Sequence, residues 1–136
     1  MSVRANERDE SSIEFLRTLR DIEKWCIEKT NTCPKKYRYI INTQLLSYAA
    51  NAYCLAKMAN SIKVTNSQTK RIREKYTTKA YATTQAFVSQ IDVIYEVCKS
   101  DFLTNHELQE ISKRGVDALK LLNGLIKSDK NRYQDY

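Results

Sequence analysis

One histidine, His106, four cysteines and two glycines bound the chemistry open to this chain of 136 residues. A di-iron carboxylate centre in a helical bundle draws on Glu-x-x-His from two helices. This chain has a single histidine, and Leu103 stands three residues before it. Cys26, Cys33, Cys54 and Cys98 form no C-x-x-C pair and none lies near His106, so the ligand spacing of tetrahedral zinc is absent. No serine or cysteine has a histidine at the spacing of a nucleophile motif. Gly115 and Gly124 are too far apart to build a phosphate-cradling loop. The sequence therefore predicts no catalytic residue, no metal ligand and no cofactor, and reads His106 as an exposed residue at a helix start. The chemistry that remains is electrostatic.

The formal net charge is +7, unevenly spread. Residues 34–81 hold ten basic side chains and one acidic one, Glu74, whereas the flanking segments each come to −1. Lys35, Lys36 and Arg38 follow the only proline, Pro34, and Lys70, Arg71, Arg73, Lys75 and Lys79 form a second cluster. Positions 71, 75 and 79 fall four apart and share a helix face. Arg71 and Arg73 point about 160° apart on an ideal helix, so the charges surround that helix end. Like charges repel, and cations near a helix N-terminus oppose its dipole, so helix formation does not explain their placement. A phosphate backbone relieves both penalties, and these eight residues are the candidate nucleic-acid contacts. Tyr37 and Tyr39, set among cations, could stack on bases. The same charges also fit a solvated face that confers solubility, or a surface for an acidic protein.

The elements that position these residues are helices. Two glycines and one proline supply few turns for a sheet. Residues 1–10 read as a loose polar arm, with Ser11 or Ser12 capping a first helix along Phe15, Leu19, Ile22 and Cys26, which fades near Asn31 and Thr32. Pro34 fits the first turn of a second helix along Ile41, Leu45, Tyr48, Ala52, Leu55, Ala59 and Ile62. Asn66 or Ser67 caps a third along Ile72, Tyr76, Ala80, Phe87, Ile91, Ile94 and Cys98. Thr104 and Glu107 form a T-x-x-E capping box before a fourth along Leu108, Ile111, Leu119, Leu122 and Ile126, with Gly115 and Gly124 leaving room for close packing. The predicted fold is all-α, an antiparallel up-down-up-down four-helix bundle over residues 11–128 with a polar tail at 129–136. That topology puts the two basic clusters at opposite ends. Cys26, Cys54 and Cys98 fall at core positions. Ile40, Leu46, Tyr53 and Tyr81, outside the stripes, point to assembly of subunits. The lack of an N-terminal signal or spanning apolar run predicts a cytoplasmic protein with free thiols and no membrane contact.

The segment "CPKKYRYIINTQLLSYAANAYCLAKMAN" resembles the proline-basic start and Ala-rich second helix of a family of small four-helix bundles. That family includes the proteins of ribosomal RNA intervening sequences and the accessory variability determinant (Avd) proteins of diversity-generating retroelements. "MSVRANER", the pair "AN" at 59–60 before a basic helix start, and "LLNGLIKSDKNRY" are similar to the Avd-like branch, which often has an aromatic where this chain has Leu125 and Ile126. The resemblance implies a homo-oligomer, a pentamer, that binds nucleic acid and a reverse transcriptase. It implies a non-catalytic helper in the error-prone copying of template RNA into cDNA. The alternative within the family is a scaffold of the intervening-sequence type that binds an acidic protein without nucleic acid.

Overall fold

The computed structural model describes the backbone of residues 3–98 and 101–136, and the side chains from Glu14 onward except those of 40–42, 99 and 100. Among the described residues there is helix and no strand. The long helices are α1 (Val3–Thr32), α2 (Ser47–Ser61), α3 (Ser67–Cys98) and α4 (Asn105–Arg132). They pack in a ring: α1 touches α2 and α4, and α3 touches α2 and α4.

Helix α1 starts at Val3 and runs through Ser11 and Ser12, so neither serine is its cap and residues 3–10 are helical. The stretch holds Ala, Arg and Glu with no glycine or proline, and nothing in it stops a helix. Phe15, Leu19, Ile22 and Cys26 are buried on the predicted stripe.

A helical lead-in connects α1 to α2 in three forms: a 3₁₀ turn at Lys35–Tyr37, one α-helical stretch at Arg38–Ile40 and a π-helical segment at Ile41–Leu46. Pro34 stands just outside this run rather than in its first turn. Its φ of −55° suits a helix but its ψ of 140° does not, and its carbonyl accepts from the Tyr37 N–H at 3.0 Å. A π segment winds more residues into each turn than an α-helix. It therefore changes the phase between the basic residues at 35–38 and the alanine face of α2. Ile40 and Ile41 lie outside the described side chains. The face of α2 that packs inward is Leu45, Ala49, Ala52, Ala56 and Ala59, spaced four and three. Tyr48 and Leu55 flank it half-buried.

Asn66 caps α3: its Oδ1 accepts from the Thr69 N–H at 2.9 Å while Thr69 Oγ1 accepts from the Asn66 N–H at 3.1 Å. The α4 box forms as expected. Thr104 Oγ1 accepts from the Glu107 N–H at 3.1 Å, and Glu107 Oε1 accepts from the Thr104 N–H at 3.0 Å. Gly115 meets Val88 across the α3–α4 contact, and a Cβ there would collide with a Val88 methyl. Gly124 faces open space, so the packing role expected of it falls to Gly115 alone. Cys54 is exposed, contrary to the core position read for it, because the buried face of α2 is centred on the alanines. Leu46, Tyr53 and Tyr81 pack against the core, so they are not the free apolar surface that would mark assembly. The exposed large apolar side chains are others, among them Tyr39, Val93 and Val97.

Candidate nucleic-acid interface

The inward face of α3 is Arg73, Thr77, Ala80, Thr84, Phe87, Ile91, Ile94 and Cys98. Ile72, assigned to that stripe from sequence, is 38% exposed. The period was sound in the second half of the helix. In the first half the buried positions are polar, so the apolar residues mislead. Thr77 and Thr84 satisfy their hydroxyls within the helix, donating to the carbonyls of Arg73 and Ala80 at 2.9 and 2.8 Å.

Arg73 is the principal correction to the candidate set. It is 6% exposed, and each of its guanidinium nitrogens donates at least once. Nε donates to Asp129 Oδ2 at 2.6 Å and Nη2 to Oδ1 at 3.3 Å, a forked pair. Nη1 donates to the carbonyls of Ala59 at 3.2 Å and Ile62 at 3.5 Å, at the C-terminal end of α2. Arg73 thus ties α2, α3 and α4 together, with each of its guanidinium nitrogens already donating within the fold. The partner comes from the segment read as a polar tail. Tyr133 also packs there, with the Arg73 and Arg132 guanidinium carbons 5.9 and 5.6 Å from its ring centre. The pair follows from the buried faces once the structure defines them. Asp129 continues the buried α4 spacing of Ile111, Gly115, Ala118, Leu122 and Leu125, and Arg73 continues the buried spacing of α3.

The other seven candidates remain available. Lys35, Lys36, Arg38, Arg71, Lys75 and Lys79 are exposed, and Lys70 is half-buried. None of the seven has a carboxylate within ion-pair distance among the described residues. Lys70 Nζ donates to the Tyr136 carbonyl at 3.3 Å and Arg71 Nε to the Ser67 carbonyl at 3.4 Å, which leaves further N–H groups on each. Arg71, Lys75 and Lys79 share a surface recess on α3 with Glu74 and Thr78.

The two clusters are not brought together. Tyr37 Oη donates to Asp101 Oδ2 at 3.2 Å, which sets the 35–38 cluster beside the end of α3. About 25 residues of uninterrupted helix, roughly 38 Å, separate that end from Arg73. Lys36 Nζ lies 4.9 Å from the Tyr37 ring centre. Tyr37 is therefore half-buried and engaged, whereas Tyr39 is 78% exposed and free to stack.

No group of metal-ligating side chains occurs among the described residues. His106 is exposed and sits 3.2 Å from Glu110. Burial raises the Cys26 thiol to about 12, with a smaller push from the Glu23 charge, so this thiol is inert. No described helix is long and apolar enough to cross a membrane. Comparison with protein-family models, with curated proteins and with solved structures found no match for this chain.

Proposed function

We propose that this chain is a non-catalytic, basic nucleic-acid-binding accessory protein. It associates with a retroelement reverse transcriptase and assists the mutagenic copying of template RNA into cDNA. The observation that carries the binding half is the set of seven cations, six of them exposed, that pair with no Asp or Glu carboxylate among the described residues, within a segment that holds one acid. Unpaired exposed cations gain by replacing the counterions of a phosphate chain. The association with a reverse transcriptase rests on the resemblance of the proline-basic and Ala-rich segment to the Avd-like branch. So does assembly as a pentamer.

The helices are proposed to alternate in direction as an antiparallel up-down-up-down bundle. Lys29 to Glu107 and Tyr37 to Asp101 join one end. Arg73 to Ala59, Ile62 and Asp129 joins the other. In this arrangement the phosphate chain follows the outer face of α3 through Arg71, Lys75 and Lys79, and the 35–38 cluster forms a separate contact.

Gel shifts with labelled RNA and DNA over a range of salt test this reading. Binding to a single strand falls with log salt at a slope of about 0.7 per neutralised phosphate. The triple variant Arg71→Glu, Lys75→Glu, Lys79→Glu loses about a hundredfold or more in affinity while keeping its helical circular dichroism. Unchanged binding removes α3 from the interface. A partner protein that is retained after nuclease treatment, with no RNA or DNA shift, favours the scaffold reading instead.

A further inference from the structure

Beside the Arg73–Asp129 pair, α3 and α4 enclose a cleft of about 230 Å³. Thr77, 1% exposed, reaches it from the core, and Ile126 and Tyr133 give it an apolar and an aromatic lining. Lys70 on α3 and Lys130 on α4 also line it. We propose that this cleft takes one unpaired nucleotide of a single strand, with the base against Tyr133 and Ile126 and its phosphate between Lys70 and Lys130. The proposal rests on the nucleic-acid reading above and specifies its ligand.

Three observations support it. The volume is below the roughly 300–1,000 Å³ of sites for drug-sized ligands, so the occupant is small, about one base with part of its sugar. The lining combines an aromatic ring with cations, the pairing that single-strand binders use for base and backbone. Arg73 and Arg132 share the Asp129 carboxylate in the wall, so with Lys70 and Lys130 the lining is cationic on balance against Glu74. Glu74 can accept from a base N–H, a group that phosphate lacks. Glu74 lines both this cleft and the recess of Arg71, Lys75 and Lys79, so a strand that leaves that recess and turns around α3 past Glu74 reaches the cleft.

The test uses the full chain and fluorescence anisotropy with two probes of equal length and charge: a short single-stranded RNA and the same backbone without bases. The RNA binds about tenfold more tightly than the abasic strand. Ile126→Trp, which fills the cleft, and Tyr133→Leu, which removes the ring, each erase this difference and leave abasic binding unchanged. Circular dichroism checks folding, and either variant suffices if the other misfolds. Equal, salt-sensitive binding of the two probes overturns the cleft and leaves the polyanion reading standing. A base-dependent advantage that survives in the folded variants also overturns it. Failure of both probes to bind overturns the cleft and the nucleic-acid reading together.

Discussion

A guanidinium inside a helical core is tolerated only when its charge is paired and its N–H groups are used. Arg73 meets both conditions through Asp129 and two carbonyls of α2. Removing Asp129 strands the buried guanidinium, so Asp129→Ala is expected to lower stability by about 3–5 kcal/mol in urea unfolding. Arg73→Met costs less, because Asp129 keeps Arg132 at 3.6 Å. The double variant Arg73→Met, Asp129→Leu recovers most of the Asp129→Ala loss, because no uncompensated buried charge remains. A second expectation concerns the thiols. Burial raises the Cys98 thiol as well, with a further push from Asp101 that Lys36 partly offsets. Cys33 is buried, whereas Cys54 is exposed. Native alkylation at neutral pH, followed by mass mapping, should label Cys54 first and Cys26 last.

The helices differ in how they are started and how closely they meet. Gly115 lets α4 approach Val88 of α3, so Gly115→Ala forces a shift of that side chain and costs about 1–3 kcal/mol. Gly124→Ala has open space and should instead stabilise α4 by up to about 1 kcal/mol. Thermal melts of both variants against the parent distinguish contact from propensity. Glu107 joins the capping box of α4 to α1. Partial burial pushes its carboxyl up, but the Thr104 N–H, the Lys29 ammonium at 2.9 Å and the Thr104 hydroxyl outweigh this and hold it below its ordinary 4.5. A carboxyl depressed in the folded state stabilises above its unfolded value, and the gain is lost as pH falls through the folded one. Melting temperature should therefore fall below about pH 4.5, and Glu107→Gln should flatten part of that fall.

In the proposed assembly, five chains of 15.9 kDa give a particle of about 80 kDa by sedimentation, and a ring of this kind joins unlike surfaces of neighbouring copies. A species at the mass of one chain across micromolar concentrations would overturn that part of the proposal. Val93 and Val97 are 51% and 76% exposed on the outer face of α3, where their aqueous exposure is most readily relieved by a neighbour. Much of the secondary structure was legible in the chain. Phe15 to Cys26, the Asn66 cap, the Thr104–Glu107 box and the second half of α3 obey local rules that need only residue type and spacing. The early start of α1 and the π segment were not, because residues 3–10 carry no apolar period and helix ends and bulges are weakly marked by residue type alone. The candidate interface was legible as a charge imbalance, yet not as a surface. Period alone determined that Arg71 and Arg73 point in opposite directions. Only the tertiary structure decided which of them faces water, because the carboxylate that makes burial of Arg73 possible stands 56 residues along the chain, in a segment that locally reads as a solvated tail.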